Sequence, residues 1–301
     1  MPFIHTNPIN LILRRALFPF RKLMPEKFYF AINGTEVVKL TEGKRMIFHA
    51  NPTSNLLRVL FWKGIEGFEY APYKVFVELA KRSHICFDIG ANIGYYSIVA
   101  KLFNPNVKVY GFEPLPSANK YFKINVELNK LSHIHVHQVA LTNFNGKAKF
   151  YSNLNPRFPN ETDHLYGDNS LNTEATGNIA KVEFDVNTQT LDSFVSENLK
   201  PEERIDLIKI DTEGTENLVF EGGLHVLKVH RPIIMCEVIK GFIEKEIEAI
   251  LSKCNYFYYE VKENGLMKVD SLRVESGKID FFFVPHEKQA MIESLMKNVK
   301  G

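Results

Sequence analysis

Cysteine is scarce in this chain of 301 residues, and its three cysteines include no C-x-x-C pair. An odd number of cysteines without such spacing argues against a disulfide framework and against a thiolate zinc site. Cys86 and Cys236 lie within apolar runs, which is typical of buried, reduced thiols. These features favour a reducing compartment, and we expect a cytoplasmic protein.

Long hydrophobic runs are also missing, since none approaches the ~20 residues that a helix needs to cross a bilayer. Neither sign of charge dominates, because 37 Lys and Arg residues stand against 35 Asp and Glu residues. The resulting net charge of +2 supplies no basic footprint for nucleic acid, which we do not expect as a partner. The hydrophobic fraction of 45% and charged fraction of 24% are ordinary for a globular protein and exclude extensive disorder.

Residues 10–23 combine apolar side chains with basic ones, including Arg14 and Arg15. The charges interrupt the apolar positions instead of preceding them, and no small-residue cleavage site follows, so the stretch is not a secretory signal. It is either a basic amphipathic helix that lies peripherally on the inner face of an anionic membrane, or a short helix that packs on its own domain. We favour the second interpretation because Pro19 limits the helix to a few turns.

Residues 1–80 form a mixed front segment, in which short alternating runs separated by Asn-Gly and Glu-Gly turns predict antiparallel strands. From residue 81, apolar runs alternate with helical stretches, which is typical of right-handed βαβ crossovers. We therefore predict a second unit, 81–301, with an α/β fold and a doubly wound, Rossmann-like sheet. Its seven predicted strands are 85–89, 107–112, 134–141, 206–210, 233–238, 256–261 and 279–284.

A polar segment interrupts this rhythm between residues 147 and 186. Its two ends alternate as strands do, whereas 153–180 is rich in polar residues, proline and glycine. Long insertions of this kind in compact domains are usually functional lids or disordered loops. We predict a lid that is carried on a β-hairpin.

The candidate functional residues are those that follow the predicted strands, because open α/β sheets bind ligands beyond the carboxyl ends of their strands. The first strand leads into Asp88-Ile-Gly-Ala-Asn-Ile-Gly-Tyr-Tyr-Ser97, where Gly90 permits a tight turn and Gly94 opens the next helix. The G-x-x-x-G spacing differs from the G-x-G-x-x-G that carries a pyrophosphate, which favours a ligand with a carboxylate or a ribose. A glycine-containing turn with no special role is the alternative.

Glu113 follows the second strand, 23 residues after Gly90. Carboxylates at this position accept hydrogen bonds from both hydroxyls of a ribose. Together, the acid and the glycine loop predict a nucleoside cofactor, either S-adenosylmethionine or NAD.

Acidic residues also follow the fourth and fifth strands. Asp211, Glu213 and Glu216 surround a glycine turn after the fourth strand, and Glu237 ends the fifth. Clustered carboxylates raise one another's pKa unless a substrate hydroxyl, a metal ion or a helix N-terminus compensates their charge. For Glu216, an ordinary acidic helix cap is an equally good interpretation.

In combination, these motifs resemble the FkbM-type S-adenosylmethionine-dependent methyltransferases. The motifs are 88–97, Gly111-Phe-Glu-Pro114, Lys209-Ile-Asp-Thr-Glu-Gly-Thr-Glu216 and Cys236-Glu-Val238. The resemblance spans roughly residues 55–285 and includes Trp62 in an entry motif, Trp62-Lys-Gly-Ile-Glu66. It implies a class I methyltransferase fold, with the last of the seven strands antiparallel, and O-methylation of a sugar or polyketide hydroxyl.

The resemblance also implies roles for individual residues. The loop 88–97 would hold the methionine part of the cofactor, Glu113 the ribose, and Ala140 with Leu141 the adenine edge, while Asp211 would face the methyl group. The implied cofactor contacts are Asp88, Gly90, Ala91, Asn92, Gly94, Tyr95, Ser97, Glu113, Pro114, Ala140 and Leu141. The candidate acceptor contacts are Glu216, Glu237 and Trp62.

We expect a small-molecule or glycan acceptor, such as a sugar or glycosylated metabolite, with Asp211 or Glu213 as the general base. A Mg²⁺ ion shared by Asp211 and Glu237 is the less favoured variant. Two other functions stay open. One is a nicotinamide-dependent oxidoreductase, against which the missing third glycine argues, and the other is a cofactor-binding module without catalysis.

Overall fold

In a computed structural model of the protein, the described residues are 7–153, 157–158, 163, 165, 171, 181–241, 243–263, 265–274 and 277–299. They form thirteen strands and ten α-helices. The strands are β1 (Gly34–Lys39), β2 (Arg45–Ala50), β3 (Ile85–Ile89), β4 (Lys108–Phe112), β5 (Ile134–His137), β6 (Ala140–Thr142), β7 (Gly146–Asn153), β8 (Lys181–Thr190), β9 (Leu207–Ile210), β10 (Ile233–Ile239), β11 (Tyr256–Lys262), β12 (Gly265–Val269) and β13 (Lys278–Pro285). The helices are α1 (Asn7–Leu17), α2 (Asn55–Lys63), α3 (Tyr70–Ala80), α4 (Tyr95–Phe103), α5 (Pro116–Leu128), α6 (Leu191–Asn198), α7 (Glu216–Glu221), α8 (Leu224–Val229), α9 (Glu244–Leu251) and α10 (Gln289–Val299).

The apolar runs that predict strands lie in one eight-stranded sheet, in the order β12-β11-β13-β10-β9-β3-β4-β5. The five strands from β10 to β5 are parallel, and β13 pairs antiparallel with β10. β3 is buried along its whole length, as expected of a continuous apolar run that is covered on both faces. The structure confirms the predicted doubly wound α/β fold with an antiparallel last strand.

The sheet departs from the predicted strands at two places. The strand predicted over 134–141 ends at His137, because the backbone of Ala140–Thr142 pairs instead with β8, outside the main sheet. The eighth strand, β12, pairs antiparallel with β11, and its five residues contain no extended apolar run that predicts a strand. Neither difference affects β3, β4, β9 and β10, whose carboxyl ends share one edge of the sheet.

The predicted insertion begins and ends with the two strands of a hairpin. β7 and β8 pair antiparallel, and β6 completes a three-stranded sheet beside them. The hairpin base of the predicted lid is thus confirmed. The predicted lid itself, 153–180, lies outside the described residues, except for Asn153 and five isolated positions.

The front segment packs on α4 and α5 of the α/β unit. Its β1 and β2 form an antiparallel hairpin, and its buried side chains share one apolar cluster with those of both helices. Asn125 of α5 joins the two parts, because its Oδ1 accepts a hydrogen bond from the His49 N–H (2.7 Å) and its Nδ2 donates to the Ile93 carbonyl (3.0 Å). The division of the chain at residue 80 stays a prediction.

The basic stretch near the start of the chain forms α1, which packs on the front segment as the favoured interpretation predicts. Arg14 is buried and pairs with Glu36 (2.7 Å), and the Asn10 side chain donates to the Ala31 carbonyl (2.9 Å). α1 ends two residues before Pro19. None of the helices in the described part of the chain has the length and apolarity that crossing a membrane requires.

Asn125→Ala is expected to lower the free energy of unfolding by about 2–4 kcal/mol, because two backbone groups lose their hydrogen-bond partners. Urea denaturation followed by circular dichroism measures this change. Asn106→Ala removes an exposed asparagine and serves as the control, with an expected change below about 0.5 kcal/mol. Equal losses in the two variants would show that the contact between β2 and α5 does not depend on Asn125.

Candidate active site

The carboxyl ends of β3, β4, β9 and β10 border a cavity of about 1210 Å³. Strand order reverses between β3 and β9, and α/β sheets bind their ligands at such a point. The predicted site residues that line the cavity are Asp88, Gly90, Ala91, Asn92, Tyr95, Glu113, Pro114, Ala140, Leu141, Asp211, Glu213 and Glu237. The structure thus brings most of the predicted residues to one cavity, but not Gly94, Ser97, Trp62 and Glu216.

Gly90 lets the loop after β3 approach the loop after β9. Its φ of +75° lies in the left-handed region, and a Cβ at this position would overlap the Asp211 carbonyl oxygen. The Asp211 N–H donates to the Ile89 carbonyl (3.0 Å), which continues the parallel pairing of the two strands. Only glycine therefore allows these loops to lie side by side.

Asp88 is buried at the end of β3 and is held by the start of α4. Its Oδ2 accepts hydrogen bonds from the Ser97 N–H (2.9 Å) and hydroxyl (2.7 Å), so Ser97 positions Asp88 from outside the cavity. Gly94 also lies behind the loop, where a Cβ would overlap the Phe122 ring. Asp88 Oδ1 has no hydrogen-bond partner among the described residues, and burial raises the pKa of this carboxyl. Such an oxygen is suited to a donor from a ligand.

Glu113 is buried where β4 meets the cavity. Its Oε2 accepts a hydrogen bond from the Asn92 N–H and its Oε1 accepts one from the Leu115 N–H, both at 2.8 Å. Burial raises the pKa of Glu113 to about 7, although these two bonds oppose the shift. Because a carboxylate offers about four acceptor positions, two remain for a ligand.

Asp211 and Lys209 form an ion pair at the cavity wall. Lys209 is buried on β9, two residues before Asp211, and its Nζ lies 2.9 Å from Asp211 Oδ2. Burial alone favours a neutral Asp211, but the Lys209 ammonium holds the pKa of this carboxyl below its ordinary value. Within the described residues, Asp211 Oδ1 accepts no hydrogen bond. Asp211 is therefore ionised at neutral pH and keeps one oxygen for a further donor.

Lys278, the first residue of β13, bridges two further carboxylates of the cavity. Its Nζ lies 3.0 Å from Glu237 Oε2 and also bonds to Glu213. Burial and the charge of Asp211 raise the pKa of Glu213 to about 9 and that of Glu237 to about 8, although Lys278 opposes both shifts. Oxygens of all three carboxylates lie within 4.8 Å of one another, close enough to hold a metal ion.

Comparison with known proteins identifies the family. Residues 88–258, more than half of the chain, match the methyltransferase FkbM domain. The chain belongs to the FkbM methyltransferase family. It is therefore a methyltransferase, and S-adenosylmethionine, which the sequence motifs predict, is its cofactor. This membership decides against the nicotinamide-dependent oxidoreductase.

Two curated relatives of this methyltransferase come from fungi. Methyltransferase 1 of Beauveria bassiana (strain ARSEF 2860) is 31% identical over 201 residues, which cover 62% of this chain and 75% of that protein. Methyltransferase sdnD of Sordaria araneosa is 31% identical over 186 residues, which cover 54% of this chain and 70% of that protein. A crystal structure of methyltransferase FkbM from Methylobacillus flagellatus KT is 14% identical with a TM-score of 0.42, over 67% of this chain and 43% of that one.

Two of the predicted acceptor contacts do not reach the cavity of the methyltransferase. Trp62 is almost fully buried, stacked on Tyr29 (ring centroids 4.8 Å apart), and its indole N–H donates to the Phe30 carbonyl (3.0 Å). Glu216 is also buried, and its carboxylate accepts from the backbone N–H groups of Thr212 and Gly214. The Glu216 carboxylate thus holds the turn that precedes α7, and neither Glu216 nor Trp62 lines the cavity.

Among the polar residues of the cavity that have no predicted role in the sequence are Lys209, Lys278 and Glu69. Lys209 could have been found from the sequence. It lies two residues before Asp211, and side chains two residues apart on a strand lie on the same face. The sequence does not indicate Lys278 or Glu69 as site residues, because neither lies at the carboxyl end of a predicted strand. Glu69 precedes α3 and accepts a hydrogen bond from the Tyr96 hydroxyl (2.7 Å), and burial raises its pKa.

The remaining wall of the cavity is more apolar and comes from the front segment and the insertion. Its aromatic and aliphatic side chains surround two described cations, Arg58 of α2 and Arg157 of the insertion. The wall includes Tyr29, Phe30, Leu56, Phe68, Val139, Phe150, Phe158, Leu165 and Leu171. The cavity thus has a charged end at the sheet and an aromatic wall opposite it.

The raised pKa values of Glu213 and Glu237 determine how stability should depend on pH. In the unfolded chain a glutamate titrates near 4.3, so the folded protein holds these two protons more tightly. The resulting stabilisation is complete below the unfolded pKa and is lost as the pH rises through about 8 and about 9. We expect the melting temperature of the ligand-free protein to fall progressively between about pH 5 and about pH 9.

Glu237→Gln removes one of the two protons and should make this fall shallower. Glu127→Gln, which replaces an exposed glutamate of α5, is the control and should keep the wild-type slope. Differential scanning calorimetry across the pH range compares the three proteins. Identical slopes in all three would contradict the titration of Glu237 in this range.

Proposed function

We propose that the protein methylates a hydroxyl oxygen of a sugar or glycosylated metabolite, with Asp211 as the general base. One observation carries this proposal. Asp211 Oδ1 lies at the cavity wall without a hydrogen-bond partner among the described residues, while Oδ2 is held by Lys209. An ionised carboxylate with one oxygen to spare is what a hydroxyl acceptor requires for removal of its proton.

The residues around the cavity fit the cofactor. The missing Cβ of Gly90 lets the β3 loop lie against Asp211 at the cavity, and Asp88 Oδ1 lacks a partner in the described structure. The hydroxyl of Tyr95, also buried and lining the cavity, has no partner there either. We assign this loop to the methionine part, Glu113 to the ribose hydroxyls, and Ala140 with Leu141 to the adenine.

The size of the cavity favours two ligands at once. Small-molecule sites usually enclose about 300–1000 Å³, and this cavity is larger, at about 1210 Å³. With the nucleoside on the β3 and β4 side, the aromatic wall and the end formed by Glu213 and Glu237 are left for the acceptor. Aromatic rings and carboxylates both suit a sugar, which presents C–H faces and many hydroxyl donors.

S-adenosylmethionine supplies a methyl group on a sulfonium, which is already an excellent leaving group. The protein's main contribution is therefore orientation, which is worth about 7–11 kcal/mol in comparable reactions. Asp211 Oδ1 would accept the proton of the acceptor hydroxyl as the methyl group passes from sulfur to oxygen, and the Lys209 ammonium keeps the carboxylate ionised beforehand. Glu213 is the weaker candidate for the base, because its raised pKa keeps it protonated at neutral pH.

The carboxylate oxygens of Asp211, Glu213 and Glu237 are close enough together to bind a hard cation such as Mg²⁺. Lys278 already places an ammonium on Glu213 and Glu237, however, and the raised pKa values of both carboxyls keep them protonated at neutral pH, so they offer little negative charge to a divalent ion. We propose that Lys278 holds the acceptor end of the cavity together and that methyl transfer does not require a metal.

Asp211→Asn is expected to lower kcat by about 10²–10⁴ without a comparable change in the Kd for S-adenosylhomocysteine. Glu213→Gln, the matched control at the neighbouring carboxylate, should lower kcat less than about tenfold. Transfer of a labelled methyl group to a panel of sugars and glycosides measures turnover, with and without exhaustive chelation. Calorimetry measures the affinity for S-adenosylhomocysteine.

Each contrary outcome points to a different error. Near-normal turnover of Asp211→Asn removes it as the base, and loss of turnover on chelation that Mg²⁺ restores establishes the metal variant. Binding of S-adenosylhomocysteine without transfer to any sugar or other acceptor favours the module without catalysis.

Glu113→Gln is expected to weaken the binding of S-adenosylhomocysteine at least about tenfold, because hydrogen bonds to a charged group are worth about 1.5–3 kcal/mol. In the wild type, affinity should also rise with pH through about 7, as Glu113 loses its proton. Glu127→Gln is again the control. Equal affinities of the two variants would contradict the assignment of Glu113 to the ribose.

A further inference from the structure

Exposed apolar side chains are concentrated near the start of the chain. Of the eleven large apolar side chains that are exposed in the described structure, six lie within residues 9–28. Leu23 is 82% exposed, Ile12 66% and Phe20 58%. The six, which we call the apolar set, are Ile9, Ile12, Phe18, Phe20, Leu23 and Phe28. Such a concentration on a folded protein marks a surface that contacts something apolar.

The segment that carries the apolar set is fixed to the rest of the protein through its other side chains. Arg14 pairs with Glu36, and the Arg21 guanidinium donates to the Phe61 carbonyl of α2 (2.8 Å). The same guanidinium lies 4.4 Å from the centre of the Phe18 ring. The exposed side chains are therefore held outward by a docked segment, because its polar anchors face the protein.

The charge of this segment indicates what it contacts. Residues 7–28 contain five Lys and Arg residues and a single acidic residue, Glu26. Arg15 and Lys27 are exposed beside the apolar set. A second copy of this chain that docked through the same surface would present the same positive charge and be repelled. An anionic lipid surface instead offers an apolar layer beneath a negative one, which matches both properties.

The apolar set ends beside the cavity. Phe28 is exposed, and the next three residues, Tyr29, Phe30 and Ala31, line the cavity wall. Consecutive residues are only about 3.8 Å apart along the chain. A surface that covers Phe28 therefore lies next to the aromatic wall of the cavity. We infer that residues 9–28 bind the surface of an anionic membrane, with the apolar set inserted among the lipid headgroups and Arg15 and Lys27 paired with lipid phosphates or carboxylates.

Co-sedimentation of the full chain with vesicles tests this inference. The wild type should bind phosphatidylcholine vesicles that contain phosphatidylserine, bind pure phosphatidylcholine vesicles more weakly, and lose affinity as NaCl is added. Phe20→Ser combined with Leu23→Ser should lower the partition coefficient at least about tenfold. Phe144→Ser combined with Met267→Ser removes two exposed apolar side chains elsewhere and should leave binding unchanged.

A second variant tests the charges independently. Arg15→Gln combined with Lys27→Gln should reduce binding to the phosphatidylserine vesicles and leave the weaker binding to pure phosphatidylcholine unchanged. This variant keeps the apolar set and supplies the test if Phe20→Ser/Leu23→Ser does not fold. Binding of S-adenosylhomocysteine, measured on the same samples, should be the same in all variants, so its loss would count against the cofactor site and not against the membrane surface.

Three results would overturn the inference. The first is a wild type that does not bind the phosphatidylserine vesicles, and the second is an apolar or charge variant that binds them as well as the control does. The third is a wild-type dimer that the Phe20→Ser/Leu23→Ser variant converts to a monomer, since the apolar set would then cover a second copy of the chain.

Discussion

The close approach of Gly90 to the backbone of Asp211 is the constraint on which the site depends. β3 and β9 are neighbouring parallel strands, so the loops that follow them leave the sheet at the same edge. A side chain at residue 90 would separate these loops, because its Cβ would overlap the Asp211 carbonyl oxygen. Without that atom, the cofactor loop lies against the residue proposed as the base, so one local contact joins donor and acceptor chemistry.

Several strands contribute buried charged groups to the cavity. Carboxylates from β3, β4, β9 and β10 meet at one edge. The buried ammonium of Lys209 and the exposed ammonium of Lys278 offset only part of their charge. Such an arrangement costs stability, because each ionised group loses hydration that its neighbours restore incompletely. The concentration of so many charged groups at one cavity is explained better by chemistry on a ligand than by folding.

The part of the site that can be predicted from the sequence is the part formed by the ends of parallel strands. Asp88, Glu113, Asp211 and Glu237 are each predictable because each stands at the end of an apolar strand, and parallel strands bring such ends together. Lys278 is not predictable, because it enters from an antiparallel strand whose position depends on the completed sheet. Trp62 is wrongly predicted as an acceptor contact. The rings of Tyr29 and Phe30 cover it, and these residues lie more than thirty positions earlier in the chain, so the sequence does not show that Trp62 is buried.

The two halves of the cavity therefore depend on different parts of the sequence. In the proposed assignment, the sheet edge sets where the methyl group and the base meet, because the geometry of this edge follows from parallel pairing and one glycine. The opposite wall comes from residues 29–31, from α2 and from the insertion, and it is built on a cluster shared with α4 and α5. Changes in that wall leave the strand ends untouched. If this wall binds the acceptor as proposed, the choice of acceptor can vary in this fold without loss of the transfer chemistry.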